Sequence, residues 1–246
     1  IHPSEHRLKA VDKVIIKRIA EEWPSLRFLL DPGLKIKNLQ VDGKPAGFKI
    51  GSTEALGYML KIITVPKELL PASQREINLS FSYDGEIFDP EREGKGRIVG
   101  KIDNEDLYLY LEPYPWISCT RPAARLAISL PRDWKVLSSG QLIGTEKDVT
   151  ETTYIYEMKK GEKVLVAAAK DYAVESYPGE GELSFSTYLF SEHARESEEW
   201  IEASKKIIEF YFRTFGPYPF KKFAIGELRG PGGGAGAGII LVATED

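Results

Sequence analysis

Cysteine is nearly missing: Cys119 is the single thiol in 246 residues, so no internal disulfide can staple the fold. Histidine is scarce as well. Three imidazoles and one thiol are too few for most all-protein zinc sites. The His-Glu-x-x-His pattern, which sets two imidazoles one helical turn apart, does not occur. His2 and His6 sit near the start, and His193 has no second histidine four residues on. There is no Gly-x-Ser-x-Gly elbow, no Gly-Lys-Ser/Thr phosphate loop, and no apolar run of the ~18 residues needed to span a bilayer. Neither charge sign forms a block. The 33 basic and 37 acidic residues leave a formal charge of −4, without the basic stripe that a nucleic-acid partner selects. Cys119 has no obvious base beside it and reads as an ordinary buried or half-buried thiol. The acidic turn of Asp103, Glu105 and Asp106 reads as solvated rather than as a working carboxylate pair. Asn78-Leu79-Ser80 fits a glycosylation pattern by chance, since it falls in a strand.

What is present is a dense series of short strands. Residues 9–19 alternate imperfectly. Residues 34–41 alternate cleanly apart from a slip at Asn38, and end at the turn pair Asp42-Gly43. Residues 58–65 stop at Pro66, which cannot donate to a ladder. Ile77, Leu79, Phe81 and Tyr83 hold a period of two, as a half-buried strand requires. Further strands are predicted over 107–111, 124–130, 134–137, 149–158 and 163–169. Short strands at this density, with Gly, Pro and Asp between them, indicate a β-sandwich. No fixed period links them, which excludes a propeller or solenoid.

The pattern changes after the turn-rich residues 176–181. One more strand is predicted over 183–190, and Ser191 is a natural helix cap. From there Ala194, Ile201, Ile208, Phe212 and Phe215 recur at helical spacing, with Trp200, Ile207 and Tyr211 widening the stripe. Gly216-Pro217 stops the helix. Strands over 223–228 and 239–242 then enclose a glycine-rich segment. The fold class is therefore mainly β: a sandwich over residues 1–178, then β-α-β-β over 179–246.

The glycine run from Gly230 to Gly238 is the most unusual local composition. Gly232, Gly234 and Ala237 satisfy a loose dinucleotide fingerprint, but a strand follows where that fingerprint needs a helix N-terminus. Two readings remain: a linker, or a backbone surface that a ligand approaches closely because side chains are absent. A Gly236→Val substitution would separate them. Glu112-Pro113-Tyr114-Pro115-Trp116 reads either as a rigid wall for a ligand or as a strand end packed into the core. Trp116, Trp134 and Tyr110 leave a carbohydrate-binding sandwich as a third class of function.

The passage Phe215-Gly216-Pro217-Tyr218-Pro219-Phe220-Lys221-Lys222-Phe223-Ala224-Ile225, at the end of the predicted helix, resembles the aminopeptidase N and leukotriene hydrolase superfamily of zinc aminopeptidases. There a helix ends in Phe-Gly-x-x-Tyr-Pro, and a strand and a Gly-x-Met-Glu-Asn motif follow. Residues 6–12 look like that family's opening strand, and residues 131–140 like a segment near its sandwich end. The resemblance implies a saddle-like N-terminal β-sandwich over 1–178 and the incomplete start of a thermolysin-like catalytic α+β domain over 179–246. It implies peptide as the partner and zinc in the full-length parent, with none held by this fragment, which would be inactive by itself. The chain departs from the family at Gly234, Ala235, Gly236, Ala237 and Gly238. These occupy the place of Gly-x-Met-Glu-Asn, whose glutamate binds the substrate's free amine. Backbone pairing to an extended peptide stays open there, while amine recognition by this motif does not. The alternative is a non-catalytic peptide-binding or scaffold sandwich. Neither reading includes a nucleic-acid partner or a membrane span. The expected compartment is a bacterial cell envelope or the exterior, with the cytoplasm still open.

Overall fold

The computed structural model describes residues 1–55, 58–87, 100–109, 123–229 and 233–244. These fall into two compact units, 1–87 and 100–244.

The first unit is built from seven antiparallel strands, β1 (Arg7–Lys17), β2 (Leu26–Leu30), β3 (Leu34–Val41), β4 (Lys44–Pro45), β5 (Lys49–Ala55), β6 (Tyr58–Val65) and β7 (Glu76–Glu86). They form two sheets, ordered β1-β7-β3-β4 and β2-β6-β5. The period of two in β7 turns Ile77, Leu79, Phe81 and Tyr83 inward, all of them buried. Across the core, Phe28 of β2 meets Phe81 edge-on with ring centroids 4.8 Å apart, a favourable aromatic geometry. The slip at Asn38 is a bulge: the β3–β7 register shifts between Ile36 and Asn38. Asp42 and Gly43 both adopt positive φ, 49° and 78°, as the type I′ turn of a two-residue hairpin demands.

The second unit holds twelve strands among the described residues. Four of them, β8 (Gly100–Ile102), β9 (Asp106–Leu109), β11 (Lys135–Ser138) and β14 (Val166–Ala169), make a sheet ordered β11-β14-β9-β8. The strands β10 (Ala124–Pro131), β12 (Gln141–Lys147) and β13 (Glu151–Met158) make another, ordered β10-β13-β12. Buried Tyr156 of β13 ties these two sheets by donating from its hydroxyl to the Val136 carbonyl at 2.8 Å.

The third sheet is mixed. Its strands are β15 (Tyr172–Pro178), β16 (Ser184–Phe190), β17 (Lys222–Arg229), β18 (Gly233–Gly236) and β19 (Ile239–Thr244), ordered β15-β16-β17-β19-β18. The β16·β17 and β17·β19 pairs are parallel and the outer pairs antiparallel. Parallel strands need a crossover, and helix α1 (Ser197–Phe215) supplies it between β16 and β17. One face of this sheet packs Ala224, Leu228, Ile239 and Leu241 against Tyr108, Leu137, Leu165 and Ala167. The other packs Phe185, Phe223 and Ile225 against Ile201 of α1. Covered on both faces, β17 is buried from Phe223 to Leu228, which explains an apolar reading broken only at Glu227.

Three local expectations change. Ser191 does not cap a helix: residues 191–196 form a 3₁₀ segment, and the Ser191 hydroxyl donates to the Asp171 carbonyl at 3.0 Å. The helical stripe divides, because Ile201 is buried while Ile207, Tyr211, Phe212 and Phe215 stand exposed. The glycine run contains a strand of its own, β18. The strand ending at Pro178 pairs with Ser184–Phe190 over seven residues, so it shares a sheet with the elements after residue 179.

Candidate functional site

Among the described residues the sheet order leaves β18 at an edge, paired with β19 alone. Its register sets Gly233 opposite Val242, Gly234 opposite Leu241, Ala235 opposite Ile240 and Gly236 opposite Ile239. Ala237 and Gly238 make the connecting turn. Gly238 has φ +73°, the positive value that the second position of a type II turn requires. Three of the five predicted site residues are glycines that offer backbone alone, and the other two, Ala235 and Ala237, add only a methyl group each. Ala235 is exposed and Gly234 and Gly236 half-buried, whereas Ala237 and Gly238 are buried in the turn. The free edge thus lies along Gly233–Gly236. Gly230, Pro231 and Gly232 lie outside the described residues.

What sits behind this edge explains part of its composition. A Cβ on Gly236 would lie 2.5 Å from the Ser139 hydroxyl and 3.1 Å from Leu165 Cδ1. The Gly140 N–H donates to the Ala237 carbonyl at 3.3 Å, and Leu165 N–H donates to Ser139 Oγ at 3.0 Å. Glycine at 236 is therefore a packing requirement of the β18–Ser139 contact, and a valine there would disturb folding before it reported on any ligand.

Beside the turn, half-buried Lys222 donates from Nζ to the Ser138 carbonyl at 2.5 Å and lies 5.2 Å from the Tyr156 ring centroid. Burial pushes its ammonium pKa down to about 8, partly opposed by the charge of Glu162.

Glu227, in the middle of β17, was not singled out from the sequence. It is 1% exposed. Its Oε2 accepts from the Phe190 N–H at 2.6 Å, and Oε1 lies 2.8 Å from His193 Nδ1. The Tyr172 hydroxyl donates to its main-chain carbonyl. The sequence did carry a signal: one carboxylate within an otherwise apolar strand must be paired when buried. His193, which has no second histidine at helical spacing, is that partner.

The acidic turn is solvated only in part, at exposed Glu105. Asp106 is 3% exposed, and burial, reinforced by the charge of Asp103, raises its pKa to about 6. For Asp103, burial is outweighed by hydrogen bonds from Lys101 and from the backbone of Asp106 and Glu105, and the pKa falls to about 2. Together with Arg229 these groups line a shallow depression whose charges are largely matched: Lys101 lies 2.5 Å from Asp103, and Arg229 3.3 Å from Glu105. Among the described residues no three His, Cys, Asp or Glu side chains are grouped to hold a metal ion. Trp134 is buried at 1% exposure and so is unavailable to a glycan. Tyr110, Cys119 and the Glu112–Trp116 stretch lie outside the described residues.

No protein-family profile matches the chain, and no curated protein sequence does. Solved structures do. A mutant M1 zinc metallopeptidase from Deinococcus radiodurans, bound to a Tyr-Ser-Ala substrate, superposes with a TM-score of 0.68 at 15% identity, over 95% of this chain and 55% of that one. A two-domain M1 zinc metallopeptidase mutant bound to L-arginine gives 0.67 at 14% identity, over 99% and 58%. Native yeast LTA4 hydrolase gives 0.68 at 15% identity, over 99% of this chain and 39% of its own. The chain thus spans about half the length of the peptidases it resembles, and at this identity the likeness is one of fold. The chain has the fold of the N-terminal portion of M1 zinc metallopeptidases.

Proposed function

We propose that this chain is the N-terminal, non-catalytic portion of a divergent zinc metallopeptidase that acts on peptides. The observation that carries the reading is the fold shared with M1 peptidases over nearly the whole chain, with a free glycine-rich edge strand in its mixed sheet. In this reading the sandwich portion comes first, and the mixed sheet that begins with β15 opens the catalytic α+β domain. Zinc and its chemistry belong in this reading to the full-length parent, as in the zinc metallopeptidases whose fold the chain shares.

Within that reading, Gly234, Ala235, Gly236, Ala237 and Gly238 are the peptide-facing segment, and Gly233–Gly236 offers main-chain N–H and C=O groups to an extended chain by strand addition. No carboxylate stands in this segment to meet a free α-amine. Glu227 does not replace one. It lies in register with Val242, which in turn pairs with Gly233, but its oxygens are already engaged by Phe190 and His193. The parent should therefore tolerate peptides with blocked N-termini.

Reading the coding sequence past Asp246 tests the enzyme assignment: His-Glu-x-x-His with a downstream glutamate is expected, and a frame lacking it overturns the proposal. Calorimetric titration with an extended peptide tests the edge. Binding should vanish when alternate peptide nitrogens are methylated, because strand addition needs those N–H groups; equal binding by the methylated peptide excludes pairing along β18.

A further inference from the structure

Among the described residues strand β1 lies at an edge of its sheet, and its pleat sorts the side chains sharply. Leu8, Ala10, Asp12, Val14 and Ile16 turn toward the core. Lys9, Val11, Lys13, Ile15 and Lys17 turn out, and every one of these is exposed. The alternation runs on to Ile19 just past the strand. Val11 is 60%, Ile15 63% and Ile19 fully exposed. The neighbouring strand gives them no apolar cover, since Val11 faces Ser82 and Ile15 faces Asn78 in the β1–β7 register.

The charge on this face is lopsided. Asp84 is held by Arg7 at 2.7 Å and Lys37 at 3.0 Å, and Glu76 by Lys17 at 3.1 Å. Glu76 and Asp84 are thereby used, and the third acid on this face, Glu86, stands at the strand end opposite Arg7. Lys9, Lys13 and Lys35 remain, with no ion pair among the described residues. Edge lysines alone are a common guard against strand pairing between copies. That role does not account for three bare aliphatic side chains interleaved with them. A nucleic-acid partner would call for aromatic platforms, and this row has none.

Same-face residues on a strand are roughly 6.6 Å apart, so the row is a straight, flat ladder of alternating ammonium and aliphatic groups. A planar amphipathic anion matches it. The aliphatic side chains can enter the boundary between lipid headgroups and acyl chains, while lysine stems lie along that boundary with their ammoniums at the phosphates. We propose that the outer face of β1 docks on an anionic lipid surface. This stands independently of the peptidase reading.

Co-sedimentation with vesicles of phosphatidylcholine alone, and of phosphatidylcholine mixed with phosphatidylglycerol, tests it. The chain should bind the mixed vesicles and release them as salt is raised. The double variant Lys9→Gln/Lys13→Gln should weaken that binding roughly twenty-five-fold, at about fivefold per lysine near an anionic surface. Lys9→Arg/Lys13→Arg should retain it, and Val11→Ser/Ile15→Ser should weaken it with all charges in place. Thermal melts matching wild type for the glutamine variant show that folding is not the cause. Absence of binding to the mixed vesicles overturns the proposal. So does equal binding to neutral vesicles that ignores the lysine variants, which would point to the exposed aromatics of α1. Lysine-dependent binding of polyglutamate without vesicle binding would also overturn it, in favour of an acidic polypeptide.

Discussion

At Gly236 the missing side chain is what lets β18 approach Ser139 and Leu165, and the space there is smaller than a methyl group. Gly236→Val should therefore destabilise the protein by about 1–3 kcal/mol, the usual range for overpacking, read as a lower denaturant midpoint. Ala235→Val, one residue away on the exposed face, should stay within about 0.5 kcal/mol of wild type. The contrast separates packing from ligand effects along this edge. Asp12 offers a second test. It points toward the core beside Tyr83, whose hydroxyl donates to it at 3.1 Å, and burial, partly offset by that hydrogen bond, raises its pKa from 3.8 to about 6. A carboxyl raised on folding binds its proton more tightly in the native state. Its unfavourable contribution is fully present above pH 6 and is relieved as pH falls toward 4. Asp12→Asn should thus raise stability at neutral pH by on the order of 1 kcal/mol and flatten the pH dependence between 4 and 6. An unchanged slope in urea titrations would show that Asp12 is not the titrating group.

Helix α1 shows how far a periodic pattern reaches and where it stops. Its position and its Gly216 stop were legible from helical spacing, and Gly216 adopts φ 93° as a helix-ending residue there should. Which faces would be covered was not legible, because apolar residues nearly circle its second half. Ser197, Ile201 and Ser204 are the buried positions. Phe210, Tyr211 and Phe215 form a separate exposed group, with Tyr211 stacked 5.7 Å from Phe215. A contiguous exposed aromatic group of this kind favours association. Phe210→Glu/Phe215→Glu should lower the concentration-dependent apparent mass of the chain in analytical ultracentrifugation, with little change in its melting temperature. The strands divide similarly. Residues 34–41 and 58–65 were bounded by their alternation and by Asp42-Gly43 and Pro66. β18 was not anticipated, since glycine carries no strand signal, and its ladder is imposed by pairing with β19. Glu227 and His193 stayed separate in the sequence because they lie 34 positions apart. Only the crossover through α1 returns the chain to the strand beside Phe190, where the carboxylate grips the strand-to-helix junction. Glu227→Ala should cost about 2 kcal/mol or more, since the Phe190 N–H loses its partner inside the protein.

For the whole molecule, the mainly β class and the late βαβ unit could be read from residue patterns, because each strand carries its own period. The division of residues 1–244 into compact units could not, because it depends on which sheets share a core. Phe28 and Phe81 close one such core, while Leu137, Leu165, Leu228 and Leu241 close another, and nothing local distinguishes the two sets of leucines and phenylalanines. The two units carry titrating groups with opposite signatures, so their cooperativity can be measured. Asp12 in the first makes stability fall as pH rises from 4 to 6. Lys222 in the second has its pKa lowered from 10.5 to about 8, so its unfolded state holds the extra proton between those values and stability rises with pH from 8 to 10.5. If each unit is its own cooperative block, calorimetry should show two transitions. Asp12→Asn should alter the pH response of one between pH 4 and 6. Lys222→Met should remove the alkaline gain of the other, leaving the first unmoved. A single transition that responds to both substitutions would show instead that the two cores unfold as one.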